Sequence, residues 1–187
     1  GLVAVCRGHS STISHIDFSD DSYVLRSNCA GHELRFWDVP SGAQISTASA
    51  CRDLGWASFS VTLGWHCQGI FRNRSDGTGV HGVDRSADGR LLATADDFGI
   101  INLHRYPCVQ PPTKLAPNRA EFSGHASAAL ACKWASADDT EYLLSVGGLD
   151  LTLFQWARRA ATRPALSLGA LSSFGLPSSS SMGGGDA

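Results

Sequence analysis

Three features of this sequence predict an all-β, antiparallel fold built from repeated units. Short apolar runs alternate with polar residues at period two, separated by clusters of Gly, Ser, Asp and Pro. Gly is abundant, at 20 residues, and only 17% of residues are charged, a mix that favours short strands and tight turns over long surface helices. The order of strands and turns recurs along the chain, and self-similarity of this kind marks a stacked repeat architecture.

The first unit opens at Gly8-His9. The alternating stretch Ile13-Ser14-His15-Ile16-Asp17-Phe18 follows, then a polar turn from Ser19 to Ser22. Tyr23-Val24-Leu25 leads to Ser27, and after a Gly turn comes Leu34-Arg35-Phe36-Trp37-Asp38. The third unit opens at Gly124-His125 and repeats this order. Leu130-Ala131-Cys132-Lys133-Trp134 is followed by a polar turn, Tyr142-Leu143-Leu144-Ser145, a Gly-Gly turn, and Leu151-Thr152-Leu153-Phe154-Gln155-Trp156. A weaker copy lies between them, with strands over Val80 to Arg85, Leu91 to Ala95 and Ile100 to Arg105. There Asp84 matches Asp17, Thr94 matches Ser27, His104 stands for Trp37, and Ser75-Asp76 stands for Gly-His.

Units of several short strands, opened by Gly-His and closed by Trp, carry the blade signature of a WD40-type β-propeller. A blade cannot bury both faces alone, so each needs a fixed internal frame. The expected frame is a hydrogen-bonded His, Ser or Thr, Asp and Trp, because a buried imidazole or carboxylate is costly unless every polar atom has a partner. The third unit offers His125, Ser145, Asp150 and Trp156. The first offers His9, Ser27 and Trp37, with no Asp in the turn Ala30-Gly31-His32. The second offers only Thr94 and Asp97. Phe18, Leu34, Leu103, Trp134 and Leu153 are expected to supply packing.

The long second unit carries further motifs: Arg52-Asp53-Leu54-Gly55-Trp56-Ala57, Val61-Thr62-Leu63-Gly64-Trp65-His66, Gly69-Ile70-Phe71, Ser75-Asp76-Gly77-Thr78, Thr94-Ala95-Asp96-Asp97-Phe98-Gly99 and Tyr106-Pro107-Cys108. With Gly8-His9-Ser10-Ser11 and the closing Gly147-Gly148, Asp150 and Gln155-Trp156, this series resembles the carboxy-terminal repeats of the echinoderm microtubule-associated protein-like family. The resemblance covers roughly residues 5 to 158. It implies a non-enzymatic protein of the cytoplasm and cytoskeleton that binds tubulin and microtubules and affects microtubule dynamics. It also implies that this chain corresponds to about the last three blades of a second propeller. Trp65 and Gly31 depart from that pattern, which has Phe and Asp there.

Composition excludes other classes. A net charge of −2 gives no basic face for nucleic acid. No run approaches the roughly eighteen apolar residues of a membrane span. The six Cys are scattered without a C-x-x-C pair and read as buried free thiols. The seven His show no metal-ligand spacing, and no cofactor is implied. Asp97-Phe98-Gly99 matches a kinase triplet, but the Gly-rich loop, strand Lys and His-Arg-Asp loop are missing, so a tight turn is the reading. No Gly-x-Ser-x-Gly elbow anchors a hydrolase around Ser58 or Ser60. Arg72, Arg74, Arg158 and Arg159 are the candidate contacts for an acidic partner surface, here that of tubulin.

The expected organisation is a blade over 1–53, an atypical blade over 54–108, a blade over 109–159, and a disordered Ser/Gly-rich tail over 160–187. The absence of an initiator Met and of a closing set of blades suggests part of a longer chain. The alternative function is a generic WD-repeat adaptor that serves another multiprotein assembly. Three blades cannot close a ring of the usual four to eight, and open blade edges expose strand backbone. The chain on its own is therefore expected to be poorly stable or to self-associate. Sedimentation across a concentration series checks this, and a compact, cooperatively unfolding monomer at micromolar concentration would contradict it.

Overall fold

A computed structural model describes residues 1–71, 79–109, 119–137 and 140–158. The chain is all-β, as the alternation requires, with ten strands in three antiparallel sheets among the described residues. The first sheet holds β1 (Ile13–Phe18), β2 (Val24–Cys29) and β3 (Leu34–Asp38). The second holds β4 (Val80–Arg85), β5 (Leu91–Asp96), β6 (Ile100–Arg105) and β7 (Arg119–Ser123). The third holds β8 (Ala129–Ala137), β9 (Thr140–Gly147) and β10 (Leu153–Ala157). Among the described residues, the short 3-10 turns Ala48–Cys51 and Trp65–Ile70 lie between the first and second sheets.

The repetition extends to local chemistry. Each sheet carries an irregularity at the same place in its first strand pair, between Ile13 and His15, Val80 and Gly82, and Ala129 and Ala131. Such bulges increase the local right-handed twist. The turns after β1 and β4 are also built alike. Ser19 Oγ bonds Asp21 and accepts the Val24 amide at 2.9 Å; Ser86 Oγ bonds Asp88 and accepts the Leu91 amide at 3.0 Å. Ser14 and His15, Val80 and His81, and Leu130 line one cavity of about 670 Å³, so the first strands of all three sheets face a common space.

Sequence units and sheets are offset. β7 lies beyond residue 108, in the stretch assigned to the third unit, yet it pairs with β6 as the outer strand of the second sheet. The third unit therefore straddles two sheets and ties them covalently, as stacked repeats require.

Among the described residues, three apolar clusters hold the sheets. Phe36, Cys51 and Trp56 form one, with Leu34 against it. Phe59, Cys67, Ile70, Val83, Leu92 and Cys108 form the second. Ala93, Ala95, Ile101, Ala129, Cys132 and Leu143 form the third, with Leu103 and Trp134 packed on its edge. Sheets two and three approach closely enough that a Cβ at Gly82 would lie 2.9 Å from the Ala131 Cα. Phe18 and Leu153 depart from expectation. They are 42% and 63% exposed, because no sheet among the described residues covers them. All six Cys are free, and all but Cys6 are buried. The tail over 160–187 lies outside the described residues.

Buried polar ties join the first strands of the first and second sheets to the segment that follows each sheet. Asp17, 1% exposed, accepts the Ser60 and Val61 amides at 2.8 and 2.9 Å and the Ser58 and Ser60 hydroxyls at 2.6 and 2.9 Å. It also receives Arg26 Nε and Nη2 at 3.0 and 2.8 Å. The Arg26 guanidinium sits 4.3 and 4.5 Å from the ring centres of Trp56 and Phe59. Burial alone would raise the Asp17 pKa, but the Arg26 charge and the Ser58, Val61 and Ser60 hydrogen bonds outweigh it and hold the carboxyl below its ordinary value. Asp84 ties in the third sheet by hydrogen bonds of the same kind, accepting the Trp134 amide at 2.7 Å and Lys133 Nζ at 2.8 Å.

Removing one member of a buried ion pair strands the other. Asp17→Ala is expected to lower stability by about 3–5 kcal/mol, and adding Arg26→Met to recover part of that loss. Urea unfolding of both variants checks the order; a double variant less stable than Asp17→Ala alone would contradict it.

Candidate functional site

The polar frames of the three sheets are graded. In the third, Trp156 Nε1 donates to Ser145 Oγ at 2.9 Å, and Ser145 Oγ lies 2.8 Å from His125 Nε2. His125 Nδ1 lies 3.0 Å from both Asp150 Oδ2 and Thr152 Oγ1. A carboxylate at Nδ1 fixes the proton there, so Nε2 accepts and the Ser145 hydroxyl donates. Every polar atom of the relay then has a partner. The Asp150 carboxylate also accepts the Ala126 amide at 3.0 Å, which pins the loop before β8.

These distances match those of a nucleophilic Ser-His-Asp relay. The surroundings do not. Ser145 is 1% exposed, and Trp156 occupies its oxygen from the other side, so no substrate carbonyl reaches it. The arrangement is suited to fixing strand register.

The first sheet brings His9, Ser27 and Trp37 together: His9 Nε2 lies 2.6 Å from Ser27 Oγ, and Trp37 Nε1 donates to the same oxygen at 2.7 Å. The fourth place is not empty. Glu33 Oε2 stands 3.3 Å from His9 Nδ1 but off the direction needed for a hydrogen bond, so that nitrogen is unpartnered. The turn sequence gave no sign of Glu33, because it lies one position past the expected turn and belongs to the run into β3.

In the second sheet Thr94 Oγ1 lies 3.4 Å from His104 Nε2, the residue in place of Trp. Asp97 does not join them. It accepts the Gly79 amide and pairs with His81, on the far side of the turn. The carboxylate that shapes this turn is its neighbour Asp96, 2% exposed, which accepts the Phe98 and Ile100 amides and the Asn102 side chain, each at 3.0 Å. Asp97-Phe98-Gly99 is thus a tight turn between β5 and β6, with Gly99 at φ 71°. A Cβ there would also meet the Ser127 carbonyl at 2.4 Å.

Of the four arginines singled out for partner contact, Arg72, Arg74 and Arg159 lie outside the described residues. Arg158 is not a free surface charge. It pairs with Asp88 at 3.0 Å and with Glu141, clipping the third sheet to the turn after β4.

His104 is 1% exposed; burial, reinforced by the Arg119 charge and opposed by Glu121, pushes its pKa down to about 4. The unfolded chain therefore takes up the proton first as pH falls. The stability from neutral His104 is full above 6.5 and is lost as pH falls from 6.5 towards about 4. Relative to the native chain, His104→Gln is expected to flatten the fall in stability over that window. Denaturant midpoints at matched pH values check this, and parallel profiles would contradict it.

Comparison with known proteins gives this architecture its kin. The family model "Echinoderm microtubule-associated protein second beta-propeller" matches residues 2–158. The 77 kDa echinoderm microtubule-associated protein of Strongylocentrotus purpuratus is 43% identical over 155 residues, which cover 83% of this chain and 22% of that protein. Echinoderm microtubule-associated protein-like 2 of Homo sapiens is 39% identical over 153 residues, 81% of this chain and 22% of that protein. Echinoderm microtubule-associated protein-like 4 of Xenopus tropicalis is 37% identical over 152 residues, 81% of this chain and 16% of that protein. Among solved structures, the RRP9 WD40 repeats align over 81% of this chain and 40% of that one, with TM-score 0.37 and 16% identity. The chain spans 22% or less of the length of these curated relatives. With the model matched from residue 2 to residue 158, the chain belongs to the echinoderm microtubule-associated protein family, in the part that forms its second β-propeller.

Proposed function

We propose that this chain serves as part of a non-enzymatic, microtubule-associated scaffold in the cytoplasmic cytoskeleton. In this reading it presents blade surfaces to tubulin or microtubules and influences microtubule dynamics. The observation that carries the proposal is the family match over residues 2–158, with relatives named as microtubule-associated proteins. The polar groups are consistent with a scaffold. The frames at Ser27 and Ser145 are buried and bonded, and Asp17, Asp84 and Arg158 join neighbouring segments. None of them offers an accessible nucleophile. Arg72, Arg74 and Arg159 remain the arginines assigned to an acidic partner surface; Arg158 is committed internally.

Co-sedimentation with stabilised microtubules tests this, using the 187-residue chain beside the 77 kDa relative, with matched spins lacking microtubules. Pelleting of the chain only with microtubules is the expected outcome, and Arg72→Glu with Arg74→Glu is expected to weaken it. If the relative pellets and this chain does not, these blades support a contact made elsewhere. If neither pellets, the scaffold serves another assembly as an adaptor.

A further inference from the structure

We propose that His9, Cys29 and Glu33 form a zinc site that takes the place of the missing Asp in the first sheet's frame. The three donor atoms lie within 4.8 Å of one another. Glu33 Oε2 is 3.3 Å from His9 Nδ1 and 3.7 Å from Cys29 Sγ. Zinc bonds of about 2.0–2.3 Å at tetrahedral angles place neighbouring N, O and S donors about 3.4–3.6 Å apart. The two measured edges bracket that range, and imidazole, thiolate and carboxylate are all established zinc ligands.

The second observation is independent of those spacings. His9 Nδ1 is a buried nitrogen with no hydrogen-bond partner, on a side chain 4% exposed. In the third sheet the equivalent nitrogen is satisfied by Asp150. Gly31, in the turn where that Asp would stand, has no side chain to offer. An unpartnered buried polar atom of this kind calls for an explanation, and a cation between Nδ1, Sγ and Oε2 supplies it.

The surroundings fit. With zinc on Nδ1, the His9 proton moves to Nε2 and is donated to Ser27 Oγ, 2.6 Å away. That orienting bond is the usual companion of a zinc-bound His. The Cys29 thiol gives its proton to solvent as the metal–sulfur bond forms. Glu33 Oε1 accepts the Ser10 hydroxyl at 2.9 Å, and Oε2, the oxygen near His9 and Cys29, accepts the Ser10 amide at 3.1 Å, which orients the carboxylate and leaves Oε2 a second lone pair. Arg35 Nε, 3.2 Å from Oε2, is the competing cation; its Nη1 already bonds Gln44 at 2.8 Å, so it has a second partner when displaced. Glu33 is 28% exposed on the side chain, which lets water fill the fourth position. The site joins the segment before β1 to the turn between β2 and β3.

The test titrates Co²⁺, a spectroscopic probe for zinc, into the reduced 187-residue chain. One equivalent is expected to produce the near-ultraviolet thiolate-to-cobalt absorption, and Zn²⁺ to displace it. Cys29→Ser is expected to abolish the band, while Cys6→Ser keeps it. Glu33→Gln, which decides the matter if Cys29→Ser fails to fold, is expected to weaken binding at least about tenfold, the scale on which even outer partners of metal ligands act. No band in the native chain, a band that survives Cys29→Ser, or unchanged affinity in Glu33→Gln each overturns the site.

Discussion

Carboxylates buried in the first strands, Asp17 in β1 and Asp84 in β4, are the constraint on which the stacking of this chain depends. Each accepts backbone amides from the segment that follows its own sheet. A backbone N–H lost from water must find an acceptor, and a buried carboxylate must find donors. Arg26 gives Asp17 donors from its own sheet, but the Ser60, Val61 and Trp134 amides reach these carboxylates only when successive segments stack. Hydrophobic burial supplies the drive, but it is non-directional. The Asp-to-amide bonds fix the register in which the faces meet.

The insertion before the second sheet shows how this works without a strand. Residues 55–61 run beside the end of β1, with the Ala57 amide on the Phe18 carbonyl and the Asp20 amide on the Gly55 carbonyl. Ser60 and Val61 meet Asp17 as Trp134 meets Asp84. Trp56 and Phe59 from this segment close over Arg26 and anchor two apolar clusters. An irregular stretch thereby fills the interval between two sheets.

The frames differ in how fully they are satisfied. The relay in the third sheet is complete, the one in the first leaves His9 Nδ1 unpartnered, and the second replaces Trp with a buried neutral His104. A fully bonded network rigidifies, whereas a partly satisfied one leaves its sheet dependent on packing or on a further partner. The chain therefore combines a fully bonded third frame with two that are less completely satisfied.

Strand positions, turns and the grouping of His125, Ser145, Asp150 and Trp156 were legible in the sequence, because side-chain alternation and turn residues act over a few positions and repeat at fixed offsets. The match of Asp84 to Asp17 was visible too, as a spacing. What each Asp holds was not: its partners lie 9 to 50 residues away, and local pattern carries no record of such pairings. The same reason hid Glu33 beside His9 and the internal pairing of Arg158, whereas Asp96 shapes the β5–β6 turn through local partners and was hidden only by its adjacency to a second acid, Asp97. The sequence by itself determined the elements and the repeat; only the tertiary structure decided which buried charges meet, since that depends on how separately folded sheets approach one another.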